Sequence, residues 1–94
     1  MVVVSLAGQF DLSTAEDLRE RLVDSKVLDA PQVRVDLGAV TFLDSSGIGL
    51  LVGACKRVRR AGGTFSACCG TGPARRILEV AGLIDYLQVE DDAS

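Results

Sequence analysis

Two hydrophobic rhythms alternate along this chain. Residues 2–8, VVVSLAG, make a short apolar run closed by a glycine, the pattern of a buried strand ending in a turn. From Ser13 to Ala30, STAEDLRERLVDSKVLDA, the spacing becomes helical: Ala15, Leu18 and Leu22 form a stripe, with Asp17, Arg19, Glu20 and Arg21 mostly toward water. Ser13 with Glu16 three residues on reads as a capping box, and Pro31 as the stop. VRVDL, residues 33–37, is the next strand, and GAVTF leads on from it toward the stretch TFLDSSGIGLL at 41–51.

A second helix is predicted from Ser46 to about Ala61, with Ile48, Leu51, Val52, Cys55 and Val58 at helical spacing and Gly62-Gly63 as its end. TFSAC, from Thr64, is a third strand. GTGP is a turn whose Pro73 opens a third helix, carrying Ala74, Ile77, Leu78 and Ala81 on one face and stopping at Gly82. YLQV, from Tyr86, is a last short strand, and EDDAS a solvated acidic tail. Strands separated by single helices, βαβαβαβ, imply a single α/β domain over residues 1–94, with a mainly parallel or mixed sheet flanked by α-helices.

Composition removes several classes of function. Histidine is absent, which excludes Ser-His-Asp and Cys-His catalysis and the commonest metal ligand. No metal and no cofactor is expected. A net charge of −3 argues against nucleic acid as a partner. No stretch is long enough to span a membrane, and the start lacks the basic segment of a signal peptide, so a cytoplasmic location is expected. The three cysteines, Cys55, Cys68 and Cys69, do not form a disulfide framework. Cys55 falls on a helical apolar stripe and reads as core; the neighbours Cys68 and Cys69 are the candidates for a redox input.

The chemistry concentrates at Asp44-Ser45-Ser46-Gly47, where a strand gives way to a helix. Loops at that end of a parallel sheet are where α/β folds put their sites. One reading is structural: Ser45 or Ser46 caps the helix. A serine nucleophile is a poor reading, because Asp44 is a weak base when solvated, histidine is absent and the only lysines are Lys26 and Lys56. A phosphoryl acceptor fits better: a phosphate adds about −1.5 to −2 charge beside Asp44, tolerated by a helix N-terminus. The basic run Lys56-Arg57-Val58-Arg59-Arg60 suits a helix C-terminus, and GTGPARR lacks the lysine and spacing of a P-loop.

Three segments, VVVSLAGQFDLSTAEDLRERL, VRVDLGAVTFLDSSGIGLLVGACKRVRRAGG and ARRILEVAGLIDYLQV, together resemble the STAS domain, and within it the bacterial anti-sigma factor antagonists. The resemblance rests on the turn from Gly8 to Asp11, the DSSGIG loop and the LEVAGL helix end. It implies a non-enzymatic switch that binds an anti-sigma factor, itself a serine kinase, and so releases a sigma factor. The kinase then phosphorylates the serine after the loop aspartate, and a protein phosphatase reverses this. By position the acceptor is Ser45, and partner contacts are implied at Asp11, Asp44, Ser45, Ser46, Gly47 and Ile48. The alternative is a scaffold or ligand-binding STAS module without phosphorylation. The family usually has a strand before Val2 and a helix after the last strand. Without them the Val2–Val4 segment is expected to be a bare edge open to self-association.

Overall fold

The computed structural model describes residues 1–22, 24–70 and 72–90. Four strands, β1 (Val2–Phe10), β2 (Gln32–Leu43), β3 (Thr64–Cys68) and β4 (Val89–Glu90), pair in that order, every pair parallel. The helices are α1 (Ala15–Leu22), α2 (Ser25–Leu28), α3 (Ser45–Arg60) and α4 (Pro73–Val80).

Alternation along the strands sets the inner face of the sheet. Val4 and Leu6 of β1, Val33, Val35 and Leu37 of β2, and Phe65 and Ala67 of β3 are buried. Val3, Ser5, Arg34, Asp36 and Ser66 between them are exposed or half-buried. Against these pack Leu18 and Leu22 of α1, Leu51, Ala54, Cys55 and Val58 of α3, and Ala74 and Leu78 of α4. Among the described residues the core is wholly apolar. On the outer face Arg34 Nη2 pairs with Glu90 Oε2 at 2.8 Å, tying β2 to β4.

The α/β order stands, with four differences in the elements. The segment predicted as one helix from Ser13 is two, α1 and the short α2, and Val23 between them lies outside the described residues. The first strand runs on past Gly8, which sits at φ +88°, to Phe10. VRVDL and GAVTF belong to one twelve-residue strand. Register shifts between Ser5 and Ala7 and between Gly8 and Gln9 absorb the extra residues, so that Phe10 ends opposite Leu43.

The strand predicted from Tyr86 shrinks to Val89–Glu90. Residues before it are held in helical turns, with Leu87 N donating to Leu83 O at 3.0 Å and Gln88 N to Asp85 O at 3.1 Å. Thr71 of the GTGP turn and Asp91, Asp92, Ala93 and Ser94 of the acidic tail lie outside the described residues.

Two helix ends carry out what their glycines promised. Gly62 N donates to Arg59 O at 3.0 Å and Gly63 N to Val58 O at 2.9 Å, a Schellman closure with Gly62 at φ +87°. Gly82 and Leu83 repeat it on Glu79 O and Leu78 O, at 3.1 and 2.9 Å. Pro73 is the first residue of α4.

Candidate functional site: the Asp44–Ser45 helix start

β1 and β2 finish side by side, and the turns that follow them are welded together. Asp44 N donates to Phe10 O at 3.1 Å. The Asp44 carboxylate then serves both turns. Its Oδ1 accepts from Ser46 N at 2.8 Å and Gly47 N at 3.2 Å, and its Oδ2 accepts from Leu12 N at 3.2 Å. Asp44 is therefore the N-cap of α3. The expectation that Ser45 or Ser46 caps this helix is corrected: the carboxylate, one residue earlier in extended backbone, reaches the amides of the second and third helical residues.

The correction frees the serine. Ser45 is the first residue of α3, it is exposed, and its hydroxyl has no hydrogen-bond partner among the described residues. Ser46 and Ile48 are half-buried. Gly47 is buried, and a Cβ there would stand 2.9 Å from Phe10 O and 3.1 Å from Leu43 Cδ2. Its part is to let the helix start lie on the sheet, and it offers no side chain to a partner.

Asp11 organises the neighbouring turn. Its Oδ1 accepts from Ser13 N at 2.9 Å, Ser13 Oγ at 2.6 Å and Thr14 N at 3.2 Å. Thr14 Oγ1 accepts in return from Asp11 N at 3.0 Å and donates to Gln9 O at 2.9 Å. This reciprocal pair closes the turn that leads into α1 at Ala15; the Ser13 hydroxyl is held by Asp11, so the predicted Ser13–Glu16 capping box is not made among the described residues. The Ser13 hydroxyl, with the amides of Ser13 and Thr14 behind it, holds the Asp11 carboxyl below its ordinary value.

The structure thus brings Asp11, Asp44, Ser45 and Ser46 to one end of the sheet. It also puts two apolar side chains there that the hydrophobic pattern does not single out, Leu12 at 79% exposure and Phe42 at 45%. Leu12 carries a weak signal in the sequence: an isolated leucine inside a polar turn, outside any stripe.

The cysteines stand apart from this site. All three are buried free thiols. Burial raises the pKa of Cys55 and Cys68, with Asp36 adding to the rise at Cys68, and pushes Cys69 up to about 11. Burial at all three therefore favours the thiol over the reactive thiolate. The basic run is partly structural: Arg59 Nη2 donates to Tyr86 O at 2.6 Å, and its guanidinium lies 5.1 Å from the Tyr86 ring centroid.

A parallel sheet backed by helices, with a capped serine loop exposed at the strand ends, defines a class of small α/β domains. The model of the STAS domain matches residues 1–93, and the chain belongs to that family. An anti-sigma-B factor antagonist of Bacillus subtilis is 32% identical over 88 residues, covering 94% of this chain and 80% of that protein. An anti-sigma F factor antagonist of Paenibacillus polymyxa is 26% identical over 93 residues, 98% of this chain and 80% of that protein. Among solved structures, an anti-sigma factor antagonist from Mycobacterium paratuberculosis superposes with a TM-score of 0.83 at 28% identity, over 97% of this chain and 77% of that one. Unphosphorylated SpoIIAA shares the fold, with a TM-score of 0.75 at 21% identity over 98% of this chain and 79% of that one. No helix among the described residues is long and apolar enough to cross a membrane.

Proposed function

We propose that this chain is an anti-sigma factor antagonist whose unphosphorylated form binds an anti-sigma factor serine kinase and releases the sigma factor, and that phosphorylation of Ser45 ends the interaction. The observation that supports this reading best is the Ser45 hydroxyl, exposed and without a hydrogen-bond partner among the described residues at the first position of α3, while Asp44 does the capping. The names of the relatives supply the class of partner. The protein is a binding module and phosphoryl acceptor, not a catalyst, and works in the cytoplasm, where ATP and sigma factors are found.

In the transfer, Ser45 Oγ attacks the γ-phosphorus of ATP held by the kinase. The bond to the β–γ bridging oxygen breaks, ADP departs, and the hydroxyl proton passes to a base of the kinase. The added phosphate carries about −1.5 to −2 charge next to Asp44. A partner packed closely on Asp44, Ser45, Ser46 and Ile48, with Asp11 alongside, has to bury that charge without a new cation, which is costly. The fold tolerates the phosphate, because it sits at a helix N-terminus. A phosphatase restores the antagonist by hydrolysing the ester.

The test is mass spectrometry and calorimetry with the host's kinase. One phosphate on Ser45 is expected. Ser45→Ala should bind without being phosphorylated, and Ser45→Asp should bind at least about tenfold more weakly, roughly 1.4 kcal/mol. Phosphate on Ser46, or Ser45→Asp binding like the parent, would overturn the reading. Self-association through the Val2–Val4 segment is a separate reading, supported by β1 having β2 as its one neighbour among the described residues. Sedimentation of the free protein decides it.

A further inference from the structure

We propose that Leu12 is a docking knob, fitting an aliphatic socket that the partner kinase carries beside its phosphoryl-transfer site. The inference rests on the antagonist reading above and names a contact which that reading does not require.

Leu12 is 79% exposed. A leucine left in water inside a soft loop would mean little. This one is fixed by polar bonds on both sides and not by packing. Its own N–H is held by Asp44 Oδ2 at 3.2 Å. Just before it, Asp11 N is held by Thr14 Oγ1 at 3.0 Å; just after it, Ser13 N is held by Asp11 Oδ1 at 2.9 Å. The backbone is positioned while the side chain is presented outward, so binding incurs little ordering entropy in the loop.

The anchor of Leu12 is also the anchor of the acceptor helix. One carboxylate, that of Asp44, holds Leu12 N and the amides of Ser46 and Gly47. Whatever docks on Ser45 therefore meets Leu12 at a set position. Phe42, 45% exposed and paired in register with Gln9, adds apolar surface two residues before Asp44. Of the other apolar residues more exposed than Phe42, Val80 at 81% lies on the last turn of α4, and Met1 at 70% and Val3 at 52% lie at the opposite end of β1.

An aliphatic knob bounded by Asp11 and Asp44 selects a partner with an apolar socket. A partner presenting polar groups there would lose their hydration without replacement, so Leu12 also sets specificity among kinases.

The test uses the full chain and the purified serine-kinase anti-sigma factors of its host, titrated calorimetrically with the parent, Leu12→Asn, Leu12→Met and Ser45→Ala. Because the side chain is in water, Leu12→Asn should keep the parent's unfolding midpoint, which serves as the folding control. Expected are a loss of at least about tenfold in affinity for Leu12→Asn and no more than about threefold for Leu12→Met. Leu12→Asn binding as tightly as the parent would overturn the inference and leave the antagonist reading standing. Failure of both the parent and Ser45→Ala to bind any of these kinases would overturn the two together.

Discussion

The carboxylate of Asp44 accepts the backbone N–H of Leu12 at 3.2 Å, so a single side chain joins the turn after β1 to the start of α3. Asp44→Ala should therefore be felt in two places. Loss of the cap should lower stability by about 1–2 kcal/mol in urea denaturation. The Leu12 amide should exchange with solvent faster than in the parent, measured by NMR, although residue 12 is far from the mutation in sequence. Unchanged Leu12 protection would show that the two turns are independent.

Glycines of α3 should respond oppositely to alanine. At Gly47 a Cβ would meet Phe10 O at 2.9 Å and Leu43 Cδ2 at 3.1 Å. Gly47→Ala should cost about 1–3 kcal/mol through forced displacement of the helix start. At Gly49 nothing lies within 4 Å of the added atom. Gly49→Ala should gain up to about 1 kcal/mol from helix propensity. Denaturation midpoints of the two variants check both signs.

Alkaline pH should weaken the fold through Cys69. Its thiol is pushed up to about 11 in the folded protein by burial, while an unfolded thiol ionises near about 8.5. The folded state holds its proton longer, so this contribution is complete below the unfolded value and is lost as pH rises toward 11. By pH 10 the loss should be about 1–2 kcal/mol. Cys69→Ala should show a smaller drop between pH 7 and pH 10 than the parent, and an equal drop would refute the assignment.

Thiol reagents should find no ready target in the native protein. Cys55, Cys68 and Cys69 are all buried. Labelling should be slow for all three and become complete on addition of denaturant. Rapid native labelling of Cys68 or Cys69 would favour a redox input.

Much of this architecture was legible because it is local. The stripe of Leu51, Cys55 and Val58, the proline start of α4 and the glycine stops at Gly62 and Gly82 depend on neighbours within a few residues. The caps were not legible in the same way. Asp11 and Ser13, or Asp44 and Ser45, are all competent to cap a helix. Which one does so depends on where each strand ends, and that is set by the register shifts that bring Phe10 opposite Leu43. The Asp44–Ser46 loop could be located by its residues, but the freedom of the Ser45 hydroxyl follows only once Asp44 is seen to take the cap. The residues from Tyr86 have the pattern of a strand, because their apolar side chains do not reveal the turns that bind Leu87 to Leu83.

Burial of Gly47 against Phe10 also bears on how a kinase would read Ser45, the proposed acceptor. Here the residue two positions on is clamped to the sheet, and Asp44 is bonded to Phe10 on the other side. An enzyme acting on Ser45 meets a conformational epitope composed of two turns and a helix end. A free peptide spanning residues 41–51 lacks the Phe10 and Leu12 half of that surface, and should be a poor substrate even though it contains every residue of the proposed acceptor motif.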